Sequence, residues 1–394
     1  MKRSDALTPT RSHKESGTTK QVLAAGQVSR RSLLLGSLGW LGASSLLTAC
    51  SSNPRHSGTL LSAFEDARGD QYVGGVSLDT NRVFGAKVSA RAHGCAVDPT
   101  DPLRALFFAR RPGTVAFELR RDSMSVRTVF ETPAGRHLAG HGQFSRDGKL
   151  LFTPEHDYEN ARGVLSIRDA RTFQLVGEID THGIDPHECA WLPDGRSLLV
   201  ANGGIMTHPR SFRRKLNIPS MDPSLCVIDA NRGELLEQWR LPDHLLSIRH
   251  LAVAANGATA VGLQYEGAPE NAPGIAAIYR PGAGLKLLAA PASERGKFRG
   301  YVASIALSEQ QDLIAAACPY GNGTACWSLT DDRYQGFVAA AETYGLSRLA
   351  DGAIVASQRD GSAYGFDKTS LRSHFLDLDH AMQLRWDDHW VAVS

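Results

Sequence analysis

Histidines recur along this chain at an interval that could bring them together. His93, His141, His187 and His250 lie about 50 residues apart, and His380 follows further on. Two of them have charged neighbours, His187-Glu188 and Arg249-His250, and Tyr301 falls at the next equivalent position, while Tyr344-Gly345 after it carries no charged group. Neutral imidazoles beside carboxylates suit a transition metal such as iron or copper. The same groups at the wet end of a channel could instead bond backbone and water. If a metal there polarised a carbonyl or activated water, Glu188 or Glu159 would be the candidate base. A second set of polar groups supplies candidate ligand-binding residues: Arg110, Tyr158, Glu159, Asn202, His208, Arg249, Tyr265 and Tyr301. No His-Glu-x-x-His, P-loop, Gly-x-Gly-x-x-Gly, Gly-x-Ser-x-Gly or haem-attachment motif occurs, which argues against zincin, nucleotide-cofactor and covalent-haem chemistry.

Such distant residues meet only if the chain repeats. A turn signal followed by a short apolar run recurs seven times, beginning at Pro102, Asp147, Asp194, Asn256, Gln311, Asp351 and Asp388. Asp147-Gly148, Asp194-Gly195, Asn256-Gly257 and Asp351-Gly352 have the residue types of tight hairpins. Each run leads to further short strands, so the unit is about four antiparallel strands in about 47 residues, a β-propeller blade. The expected fold is all-β, a seven-bladed β-propeller over residues 59–394. Tyr72–Asp79 and Val83–Ala90 read as a third and fourth strand without a first and second. The last blade is therefore expected to be shared, the C-terminus giving two inner strands and residues 59–92 the outer two, which removes an open edge. Strands alternate in direction, so the loop before each first strand and the loop between the second and third share one face. That face collects the histidines, Arg110-Arg111, the Glu155–Glu159 run, and a long insertion at Gly203–Pro223. The insertion carries Arg210, Arg213, Arg214 and Lys215, read either as a solvated charge run or as a dock for an acidic partner.

The chain has 394 residues, 42% hydrophobic and 21% charged, which is globular composition. Seven of its 43 Lys/Arg and two of its 41 Asp/Glu lie in residues 1–49, so residues 50–394 carry a net charge of −3. A weakly acidic body offers no general hold on nucleic acid. Residues 1–49 read as an address: Arg30-Arg31 precede the uncharged run Leu33–Ala49, interrupted by Gly36, Gly39 and Gly42. The arginine pair resembles a twin-arginine export signal. Leu47-Thr48-Ala49-Cys50 resembles a bacterial lipobox with Cys50 as the lipidated residue, and Ser51 after it resembles outer-membrane sorting. Residues 50–58 form a linker, the expected compartment is the periplasm, and the only membrane contact is the lipid anchor. Cys318 and Cys326 read either as a disulfide across one hairpin or as a buried thiol pair. Cys95 and Cys189, each two residues after a ring histidine, read as metal ligands or as small residues on crowded inner strands.

The body resembles a family of exported bacterial propellers known as domain of unknown function 1513. The matching stretches include Phe108-Ala-Arg-Arg-Pro-Gly-Thr, Gly140-His-Gly-Gln-Phe-Ser-Arg-Asp-Gly, Asp157-Tyr-Glu, His182-Gly-Ile-Asp-Pro-His-Glu and Val200-Ala-Asn-Gly-Gly-Ile-Met-Thr-His-Pro. They continue with Met221-Asp-Pro-Ser-Leu, Leu246-Ser-Ile-Arg-His-Leu-Ala-Val and Arg299-Gly-Tyr-Val-Ala-Ser. The resemblance implies a seven-bladed propeller of the YVTN and quinoprotein amine dehydrogenase-like repeat group. It also implies partners of the imelysin-like and di-haem peroxidase-like types in periplasmic iron acquisition, but no reaction. The expected function is a lipid-anchored periplasmic propeller that binds a metal, a metal complex or a partner protein at its His-rich mouth. The alternative is a metal-dependent enzyme, a lactonase-like hydrolase or an oxidoreductase, using the same axial site.

Overall fold

The structure, a computed structural model, describes residues 56–212, 214–366, 371–379 and 383–393. The segment expected to be an export signal, Cys50, the expected linker up to residue 55, Arg213 and His380 lie outside the described residues. Seven antiparallel sheets follow one another along the chain. Blades 1 to 6 span residues 92–131, 136–180, 186–239, 246–287, 304–339 and 343–375, and blade 7 joins residues 384–393 to residues 59–88. The first strands of successive blades touch in a closed circuit that runs from blade 1 through blade 7 and back to blade 1. They are therefore the innermost strands, and they surround the axis.

Local chemistry sets the blades. Gly148 and Gly195 adopt φ of +69° and +67° in the hairpins between first and second strands, a region that disfavours side chains. Asp147 and Asp194 accept the backbone N–H two residues on, at 3.2 and 2.9 Å, and Asn256 and Asp351 repeat the same bond. Packing then sets the ring. Seven buried apolar clusters occupy the seven seams between neighbouring blades. In the seam between blades 7 and 1, for example, Leu61, Ala63 and Val73 meet Ala105, Phe107 and Phe117.

The closure differs in detail from the expected pairing. Thr59–Asp66 is itself a strand, paired over its length with Gln71–Ser77. The two C-terminal segments, Leu384–Trp386 and Val391–Val393, both pair with that same strand. They form one interrupted innermost strand, so the N-terminal stretch supplies three strands and the C-terminus one. One edge of Thr59–Asp66 bonds Gln71–Ser77, and the C-terminal segments bond the two ends of its other edge.

Cys318 and Cys326 are free thiols, which decides against the disulfide. Cys326 lies opposite Ala315 and Cys318 opposite Gly323, three residues out of step. An odd offset sends the two side chains to opposite faces of the sheet. Cys318 packs in the seam with blade 4 and Cys326 in the seam with blade 6.

Candidate functional site

Six of the seven innermost strands lose regular pairing near the axial ring. The register shifts between Ala92 and Cys95, between Pro186 and Glu188, between Ile248 and His250, and between Thr343 and Leu346. In blades 2 and 7 the strand breaks altogether, at residues 139–142 and 387–390. A bulge re-aims the side chain it carries, and five of these six irregularities carry or adjoin a histidine. The result is a cluster of His93, His141, His187, His250 and His389 at the axis. Ring centroids are 4.5 Å apart for His93 and His389, 4.7 Å for His141 and His389, and 4.8 Å for His250 with either His187 or His389.

Glycines let the strands come this close. A Cβ on Gly94 would stand 2.7 Å from His141 Nδ1, and one on Gly140 would stand 2.7 Å from His93 Cδ2. Each histidine thus packs over the glycine that adjoins the other, and the Gly94 N–H donates to the Gly140 carbonyl at 2.8 Å.

The partners of these rings fix their protons. His93 Nδ1 is 2.6 Å from Asp387 Oδ1. Arg91 and Arg110 also bind Asp387, and together with His93 they hold its carboxyl well below the ordinary range against the upward push of burial. An ionised carboxylate only accepts, so His93 donates from Nδ1 and keeps a lone pair on Nε2. Glu188 Oε2 lies 3.4 Å from His250 Nδ1 but accepts instead from the Leu251 N–H at 3.2 Å, and His250 Nδ1 has no hydrogen-bond partner. His187 differs: Arg249 Nη1 stands 3.3 Å from its Nδ1 and can only donate, which places the His187 proton on Nε2. Burial pulls His141 and His250 down to about 3. It also carries His93, His187 and His389 well below the ordinary histidine range. All five are neutral at physiological pH and offer lone pairs.

Two groups, His93–His141–His187 and His141–His250–His389, each bring a ligand atom within 4.8 Å of the others and could hold a metal ion, as could His93–Asp387–Asp388. The tautomer of His187 favours the second group over the first. His141 Nε2 is buried without a hydrogen-bond partner, an arrangement that costs free energy unless something binds it. His93 Nε2 and His389 Nε2 are 3.2 Å apart. The Asp387 carboxylate on the far nitrogen of His93 orients that ring as metal sites require.

The ring lies across the channel and divides it. On the face of the first-to-second-strand turns, a cavity of about 780 Å³ reaches down to His141, Glu188, His250 and His389. On the long-loop face, where the mouth is expected from the sequence, Arg110, Arg249, Tyr301 and Asp388 fill the opening and leave a pocket of about 50 Å³. The open approach to the histidines is therefore from the opposite side.

Of the expected site residues, His93, His141, His187, His250, Glu188, Arg110, Arg249 and Tyr301 gather at the axis. Cys95 lines the large cavity as well, whereas Cys189 is buried in the seam between blades 2 and 3. Glu159 does not reach the site: it is exposed on the loop after the second strand of blade 2, so it drops out as a base for the axial group. Asn202 is fully buried and its amide donates to the Thr181 carbonyl at 2.8 Å. Tyr158 and His208 pack together, 5.1 Å between rings, in a separate group with His137 and His156. Tyr265 packs at the rim of the seam between blades 3 and 4. The reading of the sequence misses His389, Asp387 and Asp388, because the break in the inner strand that carries them has no motif. The acidic pair within an apolar segment is the one signal available. It also misses Asp185, buried and bonded by Arg111 at 2.5 Å and facing Arg249 at 3.2 Å.

A family described as "Protein of unknown function (DUF1513)" matches residues 86–393, which includes every residue of the ring. No curated protein matches the chain.

Buried neutral histidines make stability depend on pH in a defined direction. An unfolded histidine titrates near ~6.5, while folded His141 and His250 titrate at about 3. Between those values the unfolded chain binds more protons, so this stabilisation is complete above ~6.5 and is lost as pH falls toward 3. In metal-free protein, urea unfolding is expected to weaken by about 2–3 kcal/mol per pH unit between pH 6 and 4 from this pair. A His141→Gln, His250→Gln variant should show a flatter slope; an unchanged slope would contradict the neutral assignment.

Proposed function

This chain belongs to the DUF1513 family, and we propose that it is a propeller that binds a transition-metal ion, iron or copper, at its axial histidine ring. The observation that carries this reading is the neutral His141–His250–His389 group, with His141 and His250 buried and His389 half-buried, in which His141 Nε2 has no hydrogen-bond partner. Imidazole-rich sites suit iron, copper and zinc. The cavity of about 780 Å³ gives an ion or a small metal complex a path to the ring. With the export signal and lipobox of residues 1–50, this makes a lipid-anchored periplasmic metal carrier or sensor. Imelysin-like and di-haem peroxidase-like proteins of iron uptake are its proposed partners. Arginines around Asp387 and Asp185 secure the second layer and leave the histidines free to serve the metal.

The size of the cavity also favours a second reading, an enzyme of the lactonase-like or oxidoreductase type. There the metal would activate water or a carbonyl, and burial raises the Glu188 carboxyl toward the range of a useful base.

Metal content of the mature protein, purified from periplasm without a histidine tag, tests the proposal. Near-stoichiometric iron or copper is expected in wild type. Loss of metal is expected in a folded His141→Ala, His250→Ala, His389→Ala variant. Absence of metal in wild type, with no tight uptake on titration, would overturn it. Turnover of lactones or peroxide that disappears in Glu188→Gln while metal is retained would move the assignment to the enzyme.

A further inference from the structure

The small pocket on the long-loop side of the ring has a composition of its own. Its wall contains three guanidiniums, Arg110, Arg111 and Arg249, with Tyr301 and Gln264, and Asp388 is its one carboxylate. Three of the ring histidines, His93, His187 and His250, form its other side. Arg249 is 3% exposed, and its Nε is buried with no hydrogen-bond partner although its Nη1 is engaged by His187 and Asp185. An orphaned guanidinium donor in a buried pocket is costly. The edge of a guanidinium that includes Nε is a donor pair suited to a planar oxyanion. A volume of about 50 Å³ exceeds the ~10–15 Å³ that one water needs and accommodates an anion of a few heavy atoms.

Charge adds a second argument. An ion bound by neutral histidines brings two or three positive charges into a buried site, and a buried charge is tolerated only when it is paired. Glu188 faces the large cavity, and the other carboxylates around the ring are already engaged: Asp387 by His93, Arg91 and Arg110, Asp388 by Arg110, and Asp185 by Arg111 and Arg249. On the long-loop side, little free negative charge faces a metal.

We propose that this pocket binds a small planar oxyanion of the bicarbonate or formate class, which seats with the metal so that each tightens the binding of the other. This rests on the ring as a metal site. The anion lies against Arg249 and Tyr301, with His93, His187 and His250 on the other side of the pocket. It enters from the long-loop face while the metal enters through the large cavity. Reciprocity follows: if the anion raises metal affinity by some factor, the metal raises anion affinity by the same factor.

Copper(II) titrations of the full mature protein, in bicarbonate-free non-coordinating buffer and again with excess bicarbonate, formate or phosphate, test the coupling. Bicarbonate or formate should tighten copper binding by about tenfold or more, and phosphate, tetrahedral and larger, should do less. Arg249→Gln should lose the enhancement, read as the ratio of its own copper affinities with and without bicarbonate or formate. Tyr301→Phe, which keeps the buried arginine network, should reduce the enhancement and serves if the arginine variant fails to fold. Equal copper affinity in all buffers would overturn the anion pocket and leave the metal site standing. An equal gain from phosphate would overturn the planar-anion assignment. Absence of copper binding in every buffer would overturn both.

Discussion

Pairing of Thr59–Asp66 with the two C-terminal segments is the contact on which the rest of the molecule depends. It joins residues more than three hundred positions apart, through Phe64 to Trp386 and Leu61 to Val391. Seven seams of apolar side chains have no partner for the last blade until this strand closes the circuit. The same pairing sets the axial chemistry. Because the C-terminal strand bonds at both ends of Thr59–Asp66 and bulges between them, residues 387–390 are pushed toward the axis, where Asp387 meets His93 and His389 joins the ring.

Around the axis, burial and pairing compete, and the outcome differs by residue. Burial wins at the histidines, which stay neutral even beside carboxylates. Pairing wins at Asp387, where two arginines and an imidazole outweigh the loss of water. At Asp388 burial and the adjacent Asp387 charge prevail over Arg110, and its carboxyl rises. Neutral imidazoles inside a frame of fixed ion pairs make a site with its donors already aimed and deprotonated, which is the state metal binding requires.

The repeat architecture was legible in the sequence, because each Asp-Gly or Asn-Gly turn signals its own hairpin through local chemistry. Four of the five ring histidines were legible too, since they sit at equivalent places in consecutive blades. His389 was not. It lies in a break of the inner strand, and its neighbours Asp388 and Trp390 read as a turn running into a strand, while the place is expected from the sequence for His380, which lies outside the described residues. Residues whose roles depend on which way a loop leans were also hidden. Glu159 and Glu155 are four apart, yet Glu155 is buried against Arg168 at 2.8 Å and Glu159 faces solvent. The arrangement of the two channel mouths was illegible for the same reason: Arg110 and Arg249 plug one of them through contacts that span blades.

X-ray absorption at the metal edge of iron- or copper-loaded mature protein tests the central claim most directly. A first shell of at least three nitrogens at about 2.0–2.1 Å with imidazole multiple scattering is the predicted result. That signal should fall by one imidazole in His389→Ala, the ligand furthest from the others in sequence. A shell of oxygens alone, or one unchanged by that substitution, would place the metal elsewhere and contradict the account.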